Sequence, residues 1–356
     1  MMQKETEICI LTSVHPWDDP RIYQKQARTM AKEYRIMLLA PDGCHGRDDA
    51  GIDHKKVPVS SLRTVRILFG WISYLKAALQ SGASVCIFHD PELIPAGLLL
   101  KLSGRKVVMD IHEQLPLQIM TKTWIPDKIK PIASAMAEKL ITYAAVFFDL
   151  TIAATPAINN DIGGKGVVIR NFPLWEEQLC VRSGKRSDDV CYLGTISMKR
   201  GAAVMISAAR QAGVALHLAG TVEDRESWKL IAEGRQKGYI RFYGRLTREE
   251  MRRLTGHCRA GLCLLLKEGG YPFSIPTKLF EYPVWGLEVI ATDMPYWRKL
   301  AADFPFVRFV EERNTAEAAK EIGKSRRIPE EERKKLREKF SWEGEGARLM
   351  AALKRL

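Results

Sequence analysis

Ser274–Asp293, SIPTKLFEYPVWGLEVIATD, reads as loop, helix, turn and buried strand. The preceding Gly269-Gly270-Tyr271-Pro272 supplies the loop, because glycine allows unusual backbone angles and proline stops regular structure. Pro276 suits the first turn of a helix, where its missing N–H costs nothing. Pro283 predicts a kink or an end near Tyr282, and Gly286 closes the helix. Leu287–Ala291 then reads as a strand ended by Asp293. Lys278 and Glu281 lie three apart and share a helix face. A helix start with a glycine-rich approach, here Ser274 to Thr277, is a ready anion site. Lys278 adds a point charge suited to phosphate, and Glu281 can accept the hydrogen bonds of a ribose diol. The arrangement suits a nucleoside diphosphate. A solvated Lys/Glu pair on an ordinary α/β helix has the same spacing, so both readings stay open.

Outward from this stretch, short apolar runs alternate with helical patterns. Ile8–Leu11, Arg35–Ala40, Val85–Phe88, Lys106–Ile111, Val146–Ala153 and Val167–Ile169 are expected strands of a first half. Val190–Leu193, Leu216–Ala219, Arg241–Tyr243 and Ala260–Leu266 are those of a second. Such alternation means βαβ units and parallel sheets, whose ligands sit at the carboxyl ends of the strands. Polar residues stand there: His15 after the first strand, His89-Asp90 later, then Asp110 and His112-Glu113. A histidine at a strand end between carboxylates can orient and polarise a hydroxyl, although such a histidine also serves as a cap or a core residue. Asp18, Asp19 and Arg21 can meet hydroxyls, or Asp19 can cap a helix with Pro20 at its first position.

The chain has 356 residues, which implies two domains. It is 46% hydrophobic and 27% charged, ordinary for a soluble globular protein. No apolar run reaches the ~18 residues of a membrane span, and the N-terminus lacks the apolar core of a signal peptide. Seven cysteines without metal-ligand spacing fit reduced thiols in a cytoplasm; Cys9, Cys86, Cys191 and Cys263 fall in strand-like runs and read as core. The net charge of +13 suggests anionic partners. No zinc-finger spacing or RNP-type aromatic motif points to nucleic acid. Lys55–Gln80 carries Lys55, Lys56, Arg63, Arg66 and Lys76 and no acid, with Leu62, Val65, Leu68, Phe69, Ile72, Leu75 and Leu79 at helical spacing. That composition suits a helix at an anionic interface, binding weakly and in a salt-sensitive way, or an ordinary helix whose apolar stripe faces a sheet.

P-T-K-L-F-E-Y followed by G-x-x-V-I-A-T-D resembles the donor-site helix and strand of retaining glycosyltransferases of GT-B fold, family 4. The resemblance implies two Rossmann-like parallel-sheet domains facing each other across a cleft: an acceptor-side domain over residues 1–171, a nucleotide-sugar domain over 172–339, and a terminal helix over 340–356 that crosses back. It implies that Glu281 holds the donor ribose and that His112 hydrogen-bonds the donor sugar, with His89 shaping the acceptor side. Tyr192–Gly201, YLGTISMKRG, matches the first strand and loop of the family's second domain. There Gly194 is the first glycine, Thr195 stands where an arginine is usual, and Arg200 stands where a lysine contacts the diphosphate; Lys199 reads as a solvated neighbour. Phe273 replaces a usual glutamate. Thr12–Arg21 has no glycine where the family often has a glycine-rich loop, while D-D-P-R-I recurs among bacterial cell-envelope members. The expectation is a metal-independent transfer from a uridine-linked sugar nucleotide to a glycan or lipid-linked hydroxyl. Site residues would be His112 and Asp110 for catalysis, Gly194, Thr195, Arg200, Ser274, Thr277, Lys278 and Glu281 for the donor, and His15, Asp18, Asp19, Arg21, His89 and Glu113 on the acceptor side. A sugar-nucleotide epimerase of GT-B-like fold and a degenerate binding subunit are the alternatives.

Overall fold

The computed structural model describes residues 7–43, 45–60, 62–122, 125–175, 188–268, 271–274, 276–302 and 305–356. Gly269, Gly270 and Ile275 of the expected donor loop, and residues 182–187 of the polar stretch after the linker, lie outside them. The chain divides into two compact units, Met1–Asn171 with Trp342–Leu356, and Phe172–Ser341. Phe340, expected in the terminal piece, packs on Phe172 and Phe280 and belongs to the second unit.

The strands of the first unit are β1 (Ile8–Leu11), β2 (Ile36–Ala40), β3 (Gly46–Arg47), β4 (Asp53–Lys56), β5 (Val85–Phe88), β6 (Lys106–Ile111), β7 (Leu150–Ala153) and β8 (Val167–Val168). They form one sheet in the order β3-β4-β2-β1-β5-β6-β7-β8, parallel except for the β3–β4 pair. The chain leaves β1 towards β2 and later returns to β5 on the other side, so β1 and β5 flank a switch point. Helices Arg63–Gln80, Ile94–Leu102 and Lys130–Phe147 cover one face. They bury Tyr74, Ala78, Leu100, Ile141 and Ala145 against alternate strand residues such as Cys9, Leu11, Phe88 and Met109. Tyr23, Gln26 and Met30 come from Ile22–Ala27, a π-helix, and the short helix Arg28–Met30 after it. The terminal helix Trp342–Leu353 meets this segment, where Trp342 Nε1 donates to Thr29 Oγ1 at 2.8 Å.

The second unit has β9 (Val190–Leu193), β10 (Leu216–Ala219), β11 (Ile240–Phe242), β12 (Ala260–Cys263), β13 (Glu288–Thr292) and β14 (Val307–Val310). All pair in parallel, in the order β11-β10-β9-β12-β13-β14, which puts the switch point between β9 and β12.

Two expectations change. Val146 and Phe147 end the helix Lys130–Phe147, and the strand begins only at Leu150. A run that is apolar apart from Asp149 and Thr151 hides that junction, because period alone does not separate a strand from a buried helix end. The helix Lys278–Val284 does not stop near Tyr282 but runs through Pro283, and Gly286 at φ 76° then turns the chain. Tyr282 anchors it: its hydroxyl accepts the Leu193 N–H at 3.0 Å, and its ring fills the space that a Cβ on Gly261 would need, 2.3 Å away. Losing one backbone bond at Pro283 is tolerated in a turn held so firmly from outside. Cys9, Cys86, Cys191, Cys258 and Cys263 are buried thiols. Among the described residues no helix is long and apolar enough to cross a membrane.

Candidate functional site

In the first unit, polar side chains gather at the carboxyl ends of β1, β5 and β6. Asp110 lies at the end of β6, buried at 1% exposure. Its carboxylate accepts from Arg21 Nε at 3.0 Å and Nη2 at 2.8 Å, and from Gln26 Nε2 at 2.6 Å. Arg21 also donates to the Ile169 carbonyl at 3.1 Å. The π-turn explains the convergence. The Gln26 N–H donates to the Arg21 carbonyl at 3.0 Å, an i to i+5 bond, and this wider turn brings residues five apart to one side. Burial alone would push the Asp110 carboxyl up; Arg21 and then His89 overcome it and hold it well below the usual carboxylate range.

Asp90, after β5, shapes the loop after β1. It accepts from Thr12 Oγ1 at 2.9 Å, the Ser13 N–H at 2.6 Å and the Val14 N–H at 3.3 Å. Glu92 adds a bond from Ser13 Oγ at 2.9 Å. Carboxylate acceptors therefore order a loop that contains no glycine. The loop presents His15, whose Nε2 lies 3.1 Å from His112 Nε2 and 3.4 Å from Asp90, with Asp19 3.7 Å from its other nitrogen. Of two ring nitrogens in contact one must donate, so His15 and His112 cannot both be protonated at that contact. His112 is partly exposed, but its ring lies among polar groups and its Nδ1 is buried. Burial lowers its pKa to about 4; Asp110 opposes this, while Arg21, His89 and His15 reinforce it. His112 is thus a neutral imidazole at pH 7, able to give or take a hydrogen bond.

The structure separates the expected acceptor-side residues. His15, His89, Asp110 and His112 come together. Arg21 is 3% exposed and committed to Asp110, so it positions the cluster instead of meeting a hydroxyl. Asp19 Oδ1 accepts the N–H groups of Arg21 at 2.8 Å and Ile22 at 2.9 Å, a capping role. Asp18 is exposed, and Glu113 pairs with Gln118 at the rim of a cavity of about 310 Å³ whose wall includes Ile111, Leu117, Ile141 and Ile158. Asp90, Ser13 and Gln26 are contributors that sequence reasoning did not rank. Their signal was weak: a strand-end acid beside an assigned histidine, and a polar residue five positions beyond Arg21. His89, Asp110 and His112 offer one ligand-type atom each within 4.8 Å of one another. A cation there would face the Arg21 guanidinium already forked on Asp110, so this geometry suits hydroxyls better than a divalent ion.

The second unit builds its site at the β9/β12 switch point. Gly194 follows β9 at φ 142° and Gly220 follows β10 at φ 143°. A Cβ on Gly220 would lie 1.9 Å from the Gly194 carbonyl, and one on Gly201 would lie 1.9 Å from the Leu264 carbonyl. Backbones therefore touch at the strand ends, as in turns that admit a phosphate. Lys278 reaches over Gly194, where an added Cβ would lie 3.5 Å from its Cε. Lys278 Nζ donates to Glu281 Oε2 at 2.6 Å, so the two residues expected to hold phosphate and ribose pair with each other. Tyr192 donates to the Thr195 carbonyl at 2.8 Å, close to Gly194. The Arg200 guanidinium lies 5.6 Å from the Tyr271 ring centroid, with its buried Nε lacking a hydrogen-bond partner among the described residues. Burial raises the Cys263 thiol to about 12, and Lys278 and Arg200 both pull against it, which puts the two cations at the same strand end. Ser197 caps the turn by accepting the Arg200 N–H at 3.3 Å. Lys199 is exposed. Thr277 starts the seven-residue helix without a side-chain cap bond, and Ser274 is exposed, its carbonyl accepting from Trp297 Nε1 at 2.9 Å.

No family model matches the sequence, and no curated protein matches it. The structure matches solved ones over nearly its full length. Sucrose-phosphate synthase from Thermosynechococcus elongatus superposes with a TM-score of 0.73 at 11% identity, covering 99% of both chains. HepE from Anabaena, solved in complex with UDP and glucose, gives 0.71 at 14% identity over 99% of this chain and 100% of its own. A glycosyltransferase from Rickettsia africae gives 0.68 at 12% identity over 99% of each. The fold is therefore that of the GT-B glycosyltransferases.

Proposed function

We propose that this chain is a retaining glycosyltransferase of the family 4 type. Its donor is a nucleoside-diphosphate sugar with uridine as base, and its acceptor is a hydroxyl of a cell-envelope polysaccharide or glycolipid. The observation that carries the reading is the meeting of Arg200, Lys278 and Glu281 around glycine turns at the β9/β12 switch point. Two cations there can clamp a diphosphate, and Glu281 can exchange its bond with Lys278 for a ribose hydroxyl. HepE, of the same fold, was solved with UDP, with UDP and glucose, and with UDP-glucose, which supports the choice of base.

In the transfer, the acceptor oxygen bonds to the anomeric carbon as that carbon's bond to the diphosphate breaks. The diphosphate leaves with the electron pair, and its oxygen takes up the proton that the acceptor hydroxyl loses. Arg200 and Lys278 meet the leaving charge, work that a metal does elsewhere. We assign hydroxyl recognition to His112, held neutral, with His15 as its hydrogen-bonded partner and Asp110 and Arg21 fixing the cluster from behind. We place the protein on the cytoplasmic face of the plasma membrane.

Turnover on a panel of sugar nucleotides tests this. His112→Ala should lower turnover far more than nucleotide affinity, and activity should survive EDTA. Wild-type turnover in that variant removes His112 from the reaction. An epimerised sugar nucleotide formed without acceptor would favour the epimerase instead.

A further inference from the structure

Every exposed large apolar side chain among the described residues, apart from Val14, Trp228 and Tyr243, lies between Leu62 and Phe147. All but Leu62, Met120 and Ile129 stand on the outer side of one layer of three helices. Arg63–Gln80, Ile94–Leu102 and Lys130–Phe147 all pack their inner sides into the same core on the same face of the first unit's sheet. The layer is continuous: Lys101 Nζ lies 5.3 Å from the centroid of Phe147, and Phe148 packs edge-on against Phe88 under Gly97. Several outward positions are well over half exposed. Leu68 is 62% exposed, Phe69 59%, Leu102 75%, Ile132 63%, Met136 67% and Tyr143 74%. Most of the stripe that the sequence allows to face the sheet does not: Leu62, Leu68, Phe69 and Ile72 are exposed, while Leu75 packs on the core with Tyr74, Ala77 and Ala78. Helices of 18 residues at about 1.5 Å per residue make this face some ~27 Å long. Soluble monomers rarely leave an apolar face of this extent open to water.

The charges choose the occupant. The three helices carry Arg63, Arg66, Lys76, Lys101, Lys130 and Lys139 against one acid, Glu138. Arg66, Lys101 and Lys130 lean on Glu92, Asp149 and Asp127, carboxylates outside the helices. A second copy of the chain would bring this basic face against itself, and like charges across a two-fold interface repel. A sheet of anionic headgroups over acyl chains meets both features at once.

We propose that this three-helix layer is a monotopic docking face that inserts its apolar ridge into an anionic lipid bilayer. The binding is hydrophobic with an electrostatic preference, unlike the weak, salt-sensitive association that the basic segment 55–80 alone would give. It deepens the membrane placement of the proposed function but is independent of the transferase reading, because vesicle binding needs no sugar nucleotide.

The test is sedimentation of the full chain with vesicles of phosphatidylglycerol and phosphatidylethanolamine, and with phosphatidylcholine alone. Binding to the anionic vesicles is expected at low salt. At about 1 M salt, where the Debye length is about 3 Å, the anionic preference should fall while binding persists. Phe69→Asp and Met136→Asp should each weaken partitioning by about tenfold or more, because each removes a large apolar anchor. Both sites are exposed, and an unchanged melting curve shows that the fold is kept. No sedimentation with anionic vesicles at low salt overturns the proposal. So does complete release at high salt, which would leave electrostatics alone. A dimer in ultracentrifugation that these same substitutions dissociate, in a protein that ignores vesicles, would make the face a self-interface.

Discussion

Replacing Arg21 by methionine keeps most of the side chain's volume and strands a buried carboxylate. Asp110 would lose its bonds to Nε and Nη2 and keep Gln26 at 2.6 Å and the His89 ring at 3.2 Å, while the Ile169 carbonyl would lose its donor. Both side chains of the pair are essentially inaccessible, 3% and 0% exposed, so water cannot take over. Breaking a buried pair by removing one partner costs about 3–5 kcal/mol. For a unit of this size each kcal/mol moves the melting midpoint by about 2–4 °C, so Arg21→Met should lower it by about 6–20 °C. Removing the stranded charge as well, in Arg21→Met with Asp110→Leu, should recover much of the loss, since apolar replacement of a whole buried pair is often neutral. Urea denaturation of the two single variants and the double gives the coupling energy directly. The sign in pH is also fixed. Asp110 sits below its unfolded pKa, so its contribution is present above the ordinary carboxylate value and is lost as the pH falls through and beneath it. A loss under about 1 kcal/mol in Arg21→Met, or strict additivity of the two single changes, would refute the reasoning.

His112 makes a further prediction about pH. Its folded pKa of about 4 lies below the ordinary 6.5, so the unfolded chain binds the proton more readily in between. Stability is full above about 6.5 and falls on acidification, by about 2 kcal/mol at pH 5. Urea titrations at pH 7 and 5 read it, and His112→Asn should flatten the slope; His15, His89, Asp110 and Arg21 face the ring and remain in that variant. Gly220→Ala should destabilise the second unit and abolish nucleotide binding there, because its Cβ would fall 1.9 Å from the Gly194 carbonyl, a contact with backbone that cannot swing aside. A soluble, nucleotide-binding Gly220→Ala protein with an unchanged melting point would contradict that packing.

Much of this was legible in the chain. Runs such as Ile8–Leu11 and Val190–Leu193, each followed by polar residues, announced parallel strands and placed ligands at their carboxyl ends. β4 was not, because Asp53–Lys56, DHKK, is polar throughout and is half-buried rather than core. The shared face of Lys278 and Glu281 followed from their spacing, but their mutual bond had to be seen. Asp18, Asp19 and Arg21 read as meeting acceptor hydroxyls, with a helix cap as the other reading of Asp19. The fold gives Asp19 to a helix start and sends Arg21 inward to a carboxylate 89 positions away. Such a partner depends on the segment after β1 reaching the end of β6, with β5 between the two strands, which no local pattern encodes. The outward turn of Leu68 and Phe69 was likewise invisible, since an apolar stripe reads the same whichever side the sheet is on.

The most direct test of the central claim, a nucleoside-diphosphate grip in the second unit, is calorimetric titration of UDP into the wild type and into Arg200→Ala, Lys278→Ala and Glu281→Ala. The account predicts one site in the wild type, and a loss of about 1–3 kcal/mol in each variant for a charged hydrogen bond removed. Equal affinity in all four proteins, or no binding to the wild type, would contradict it.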